Sequence, residues 1–141
     1  MMKRWISLLI TLLLALNLAT TATAQGLEKN AAEARYTGIA VYSADLSSSG
    51  KTLLLTGSIT AWDGYTSKLT IELQERNGYS GSWYTKNTYT DTGSNRDLCV
   101  IDERIAGTAG HSYRGYCKFQ AFDASGKVVD EKYEYTTILY L

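Results

Sequence analysis

The chain has 141 residues, of which 45% are apolar, with 14 basic and 14 acidic side chains and two cysteines. This length accommodates one domain with a single hydrophobic core. The even charge balance, without a basic block, argues against a protein that binds nucleic acid or an anionic lipid surface.

The first 24 residues have the pattern of a secretory signal peptide. A short basic start precedes an apolar run over residues 6–18, and small residues ending at Ala24 supply a cleavage site before Gln25. The run is shorter than the about 20 residues that cross a membrane, although a retained N-terminal anchor is the alternative. We therefore predict that the mature chain is secreted and has no membrane span.

Residues 25–35 contain good helix formers but little apolar face. Such a short piece is marginal as a helix, which predicts a flexible N-terminal segment. The remaining residues, 36–141, are predicted to form the single folded domain.

Glycine recurs at intervals of 14 or 15 residues through this domain, and the runs between the glycines alternate in polarity. Short strands at regular spacing are typical of a sandwich or a barrel. The glycines are Gly50, Gly64, Gly78, Gly93 and Gly107. About seven strands are predicted, over residues 37–46, 51–62, 67–76, 82–90, 96–105, 112–123 and 127–140. The predicted fold class is all-β, an antiparallel β-sandwich.

Alternation also predicts which side chains face the core. The inward residues of the second and third predicted strands include Leu53, Leu55, Ile59, Leu69, Ile71 and Leu73. The fourth predicted strand is polar and carries a lysine, which favours a position at a sheet edge.

The segment Gly110-His-Ser-Tyr113 resembles the start of the sixth strand in immunoglobulin-like and fibronectin-type sandwiches. The resemblance implies that Tyr113 forms a tyrosine corner, with its hydroxyl bonded to the preceding turn. The chain departs from antibody domains on the second strand, where Leu55 and Gly57 replace the bridging cysteine. The expectation is therefore an immunoglobulin-like architecture without the antibody disulfide.

The region 36–140 also resembles a group of small secreted Firmicutes proteins that share a domain of unknown function. The motifs that carry this resemblance are Gly57–Lys68, Leu73-Gln74, Gly81–Trp83, Tyr113-Arg114 and Gly126. The resemblance implies one exported β-sandwich domain and assigns no catalytic residue.

Cys99 and Cys117 are predicted to form one disulfide, because an even cysteine pair in an exported protein usually does. A redox pair or a metal site is the alternative, and reducing surroundings would leave both thiols free. The chain has no C-x-x-C motif and only one histidine, which disfavours both functional alternatives.

No set of residues predicts catalysis, a cofactor or a metal site. His111 lies in a glycine-rich corner and is predicted to be an exposed loop residue. Asp102 and Glu103 are adjacent on a strand and point to opposite faces, so they are not a glycosidase pair. Residues 91–95 lack the full run of oxygen ligands that calcium requires. We therefore predict a protein that is not an enzyme.

Aromatic residues are the enriched class, and those near predicted turns are the candidate binding residues: Trp62, Tyr65, Trp83 and Tyr84, with Tyr79 beside them. The intervening strand, about 33 Å long, separates Trp62 and Tyr65 from the others, so one planar platform is not expected. Aromatic pairing and core closure are the alternative roles. The predicted function is a secreted module that binds an extracellular protein or a glycan, and the alternative is a carbohydrate-binding module that uses these aromatics.

Overall fold

A computed structural model describes residues 38–141, which form one compact unit made of β-strands. The eight strands are β1 (Ile39–Ser49), β2 (Thr52–Ala61), β3 (Thr66–Asn77), β4 (Tyr84–Ser94), β5 (Cys99–Ala106), β6 (His111–Phe122), β7 (Val128–Tyr135) and β8 (Leu139–Tyr140). The predicted all-β class is confirmed. The predicted last strand is divided into β7 and β8, because the chain leaves the ladder at residues 136–138.

Two antiparallel sheets make up the fold. The first has the order β1-β2-β5, and the second has the order β4-β3-β6-β7, with β8 paired to the other end of β6. The predicted edge position of the fourth strand is confirmed. In an immunoglobulin constant domain the fourth strand belongs to the first sheet, whereas here β4 pairs with β3 in the second.

The core lies between the inward faces of the two sheets. Every apolar residue predicted to face inward on β2 and β3 is fully buried, which confirms the period-two assignment. A Cβ atom added to Gly57 would lie 2.5 Å from Cδ1 of Ile71 on the facing sheet. Glycine at this position therefore allows a close approach that a side chain would prevent.

Tyr113 forms the predicted tyrosine corner near the start of β6. Its side chain is completely buried, and its hydroxyl accepts a hydrogen bond from the backbone N–H of Thr108 at 2.7 Å. The bond fixes the turn between β5 and β6, where the chain passes from the first sheet to the second.

A β-bulge interrupts the pairing of β3 with β4. Leu73 faces Asn87, but the next residue, Gln74, faces Thr85, so Lys86 is the extra residue. The bulge sets which residues at the start of β4 face inward. It leaves Tyr84 opposite Glu75 and lets Lys86 reach the same carboxylate.

The predicted disulfide between Cys99 and Cys117 is not found in this structure, in which both thiols are free and buried. Cys99 Sγ lies 3.1 Å from the hydroxyl of Ser67, whereas Cys117 pairs with Ile71. Ser67 and Ile71 are four residues apart on β3, which is about 13 Å. The two cysteines therefore lie beside positions of β3 that are farther apart than the Cα atoms of a disulfide-bonded pair.

Residues 38–141 contain no helix that is long and apolar enough to cross a membrane. The predicted signal peptide, the cleavage site between Ala24 and Gln25 and the segment 25–35 all lie outside the described residues.

Candidate binding face

The outer face of the second sheet carries a stack of alternating cations and aromatic rings. The guanidinium of Arg76 lies 4.4 Å from the ring centre of Trp83, and that of Arg114 lies 4.3 Å from the same ring. Arg114 also lies 4.2 Å from the ring centre of Tyr135. We call Arg76, Trp83, Arg114 and Tyr135 the cation–aromatic ladder.

Strand pairing explains why these four residues meet. Arg76 on β3 and Arg114 on β6 alternate with inward residues of their strands, so both point to the outer face. Trp83 directly precedes β4 at one edge of the sheet, and Tyr135 ends β7 at the opposite edge. The ladder therefore crosses the whole second sheet.

More tyrosines continue the face along β6 and β7. The ring centre of Tyr116 is 4.9 Å from that of Tyr135 and 5.9 Å from that of Tyr133, and the Lys118 ammonium lies 5.6 Å from the Tyr133 ring. Tyr133 and Tyr135 are 49% and 56% exposed, so about half of each ring side chain faces solvent. This part of the face is open.

A second aromatic pair lies at the far end of β6. Tyr79 and Tyr140 stack with ring centres 4.0 Å apart and planes inclined by 19°, and both side chains are exposed. Tyr140 on β8 pairs with Ser112 on β6, and Ser112 pairs in turn with Arg76 on β3. The aromatic face therefore extends from Ser112 to Lys118 along β6, about 20 Å.

One carboxylate on this face is already bonded to its neighbours. Glu131 accepts hydrogen bonds from Gln120 and Tyr133 and lies 3.6 Å from the Lys118 ammonium. The hydrogen bond from Tyr133 lowers the pKa of Glu131. Burial has a smaller, opposite effect, and Gln120 and Lys118 lower the pKa further. The carboxylate thus stays charged and neutralises Lys118.

The four sequence-predicted binding residues are not brought together. Trp62 and Tyr65 lie just before the start of β3, and Trp83 and Tyr84 lie beside its other end, which confirms their predicted separation. Arg96 lies 5.8 Å from the Trp62 ring and 3.1 Å from the Asp63 carboxylate, a separate cluster. Of the four residues, Trp83 alone belongs to the ladder.

Sequence reasoning missed most of the face, including Arg76, Arg114, Tyr116, Tyr133 and Tyr135. The available signal was alternation, which places Arg114 and Tyr116 outward on β6, together with the dense tyrosines of residues 132–135. Their convergence with Trp83 depends on the order β4-β3-β6-β7, which the sequence does not state.

A buried carboxylate lies on the other side of β3. Glu75 is 4% exposed, and its Oε1 accepts hydrogen bonds from the Tyr113 hydroxyl at 2.6 Å and from Nδ1 of His111 at 2.9 Å. Its Oε2 lies 3.3 Å from the Lys86 ammonium. Burial raises the pKa of Glu75, but hydrogen bonds from Tyr113, Tyr84 and Lys86 outweigh it, so the pKa is lowered overall.

The prediction that His111 is an exposed loop residue is wrong, because it begins β6 and its side chain is only 25% exposed. An imidazole held by a carboxylate resembles the base of a catalytic triad. Within residues 38–141, however, the structure gives His111 no hydrogen bond to a hydroxyl or a thiol, and the neighbouring Ser112 hydroxyl donates to the carbonyl of Gly78. This arrangement supports a structural role for Glu75 and the residues bonded to it, His111 and Tyr113.

The part of the chain that the structure describes has no group of three or more His, Cys, Asp or Glu residues placed to hold a metal ion. The two thiols are also poor ligands in this state. Burial raises the pKa of Cys99, and burial with the nearby charge of Glu134 raises the pKa of Cys117 to about 12.

No protein-family model and no curated protein matches this chain. Among solved structures it is similar to two structures of a beta-glucosidase from Kluyveromyces marxianus, one labelled with selenomethionine and one in complex with glucose. Each is 10% identical, with TM-scores of 0.38 and 0.37 over 74% and 75% of this chain. The chain spans 15% of the length of those chains.

Proposed function

We propose that this protein is an exported, non-enzymatic binding domain whose contact surface is the outer face of the second sheet. The observation that carries the proposal is the cation–aromatic ladder with its neighbouring tyrosines. These large side chains lie outside the core and are partly or half exposed. Tryptophan, tyrosine and arginine are the residues most enriched where proteins bind partners.

The ladder also makes the face rigid. Stacking of each cation on a ring is worth about 0.5–2 kcal/mol and restricts long side chains that would otherwise move freely. Because Gln74 accepts a further hydrogen bond from Nε of Arg114 at 2.8 Å, that guanidinium is held from two sides. A surface ordered before binding loses less conformational entropy when a partner arrives.

A carbohydrate-binding module is the second candidate. The half-exposed rings of Tyr133 and Tyr135 lie on a sheet face, and such rings can stack on sugars. Arg76 and Arg114 already lie over Trp83, however, and Arg114 lies over Tyr135. Fewer ring surfaces are therefore free for sugar stacking, which favours a protein partner.

Amide chemical-shift mapping of the purified protein tests the proposal. The probes are chitin oligosaccharides, soluble xylan, polygalacturonate and poly-L-glutamate. We expect at least one probe to shift amides of β6, β7 and residues 74–76, and Trp83→Ala to weaken that binding. Trp62→Ala is the matched control, since Trp62 lies at the opposite end of β3.

Shifts that map to the first sheet, or equal losses in the two tryptophan variants, would contradict the proposed face. The absence of binding to every probe would also count against it. Export is tested separately by N-terminal sequencing of the secreted protein, which should begin at Gln25.

A further inference from the structure

Two guanidiniums in the ladder lack a carboxylate partner. Among residues 38–141, the structure gives Arg76 and Arg114 no ion pair, whereas Lys118 on the same face is paired with Glu131. Both guanidiniums lie over the Trp83 ring, so two positive charges are held close together. Such an arrangement is complementary to a ligand that carries negative charge.

The donors of these guanidiniums are mostly unused. Arg114 donates its Nε–H to Gln74, and both of its terminal nitrogens remain available as donors. The structure gives the Arg76 side chain no hydrogen bond within residues 38–141, and its buried Nε lacks a partner there. A planar guanidinium held by stacking is suited to bidentate binding of a carboxylate.

We infer that the ladder binds the carboxylates of an acidic segment of a protein partner. The inference rests on the proposed function, because it names the ligand of the same face. Acidic polysaccharides offer carboxylates too, but their sugar rings would find few free aromatic surfaces to stack on. The two arginines already lie over the rings of Trp83 and Tyr135. A polypeptide places carboxylates on flexible side chains that reach the guanidinium edges without sugar stacking.

The rest of the face limits where the acidic segment lies. Two carboxylates of the face would repel those of a ligand. One is Glu131, which lies near Lys118, and the other is Glu72, which accepts a hydrogen bond from Thr85. The positive end of the face is therefore the row formed by Arg76, Trp83 and Arg114. Acidic residues of the partner are expected there, and neutral or aromatic residues over Tyr133 and Tyr135.

Poly-L-glutamate is the probe for this inference, measured by calorimetry against the full-length exported protein at low and moderate salt. We expect binding that weakens as salt rises. Arg76→Gln and Arg114→Gln should each weaken it by about tenfold or more, because each removes charge-assisted hydrogen bonds. Arg114→Lys should also weaken it, since lysine keeps the charge but loses the planar fork.

Arg104→Gln is the matched control, because Arg104 is an exposed arginine of β5 on the outer face of the first sheet. It should leave binding nearly unchanged, and circular dichroism should show that all variants remain folded. If Arg104→Gln weakened the binding of poly-L-glutamate as much as the ladder variants do, the binding would be general charge attraction, and the inference would be overturned. So would the absence of poly-L-glutamate binding.

A polygalacturonate arm separates the two sources of carboxylate. Tight binding of polygalacturonate through Arg76 and Arg114, without binding of poly-L-glutamate, would overturn the choice of a protein partner. Binding of neutral xylan or chitin oligosaccharides at Tyr135 would overturn the acidic ligand and still support the proposed face. Failure of the inference is thereby distinguished from failure of the proposed function.

Discussion

The hydroxyl of Tyr113 donates a hydrogen bond to Glu75 at 2.6 Å while it accepts one from the backbone of Thr108 at 2.7 Å. One buried hydroxyl therefore joins the turn before β6 to a carboxylate on β3. The same carboxylate holds Lys86 of the bulged edge strand, so three elements are connected at this end of the sandwich.

Tyr113→Phe keeps the ring but removes this hydroxyl. The Thr108 N–H loses its acceptor, and buried Glu75 loses a donor. We expect the free energy of unfolding to fall by about 1–3 kcal/mol. Denaturation with urea measures it. Tyr116→Phe, which changes a partly exposed tyrosine on the outer face, should have a much smaller effect; equal losses would argue against the corner.

Glu75→Gln should destabilise the fold by about 1–3 kcal/mol at neutral pH, because a charged acceptor of several hydrogen bonds is lost. The folded pKa of Glu75 is lowered, so its stabilisation is complete above the unfolded pKa of about 4.3. It is lost as the pH falls through the lower folded pKa. The stability difference between wild type and Glu75→Gln should therefore shrink in acid.

Urea denaturation of both proteins at pH 7 and at the lowest pH where both remain folded measures this difference. Glu72→Gln is a control on the partly exposed outer face of the same strand. A difference that stays constant with pH would contradict the role of the Glu75 charge.

Cys99 and Cys117 should resist alkylation in the folded protein. Both are buried, and burial keeps Cys117 as the neutral thiol because its pKa is about 12. The thiolate is the reactive form, so labelling should require unfolding in denaturant. Mass spectrometry after labelling in denaturant, without a reductant, should show two modified thiols. A mass two hydrogens below that of the reduced chain would instead indicate a disulfide.

Gly57→Ala should destabilise the protein by about 1–3 kcal/mol through overpacking. The new methyl group would lie 2.5 Å from Cδ1 of Ile71 and 3.1 Å from Cδ2 of Leu69, so both side chains would have to move. Thermal unfolding compares this variant with Ser58→Ala on the outer face. If Gly57→Ala were as stable as wild type, the two sheets would not pack as closely as the structure shows.

Local patterns were enough to predict the strands and the core. Alternation on β2 and β3 identified the buried leucines and isoleucines, because side chains of a strand point to opposite faces in turn. The tyrosine corner was implied by the resemblance of Gly110–Tyr113 to immunoglobulin-like sandwiches, and it too is local, since its hydrogen bond spans only five residues.

The tertiary structure decided which residues form the binding face and which residues contact the buried carboxylate of Glu75. Arg114 lies over both Trp83 and Tyr135 only because β4, β3, β6 and β7 lie side by side, and that order joins residues far apart in the chain. The bulge at Lys86 likewise selects which β4 side chains reach Glu75. An even pair of cysteines in an exported chain predicted a disulfide, but β3 places the thiols beside residues about 13 Å apart. Sequence spacing describes separation along the chain, whereas contacts between strands depend on register.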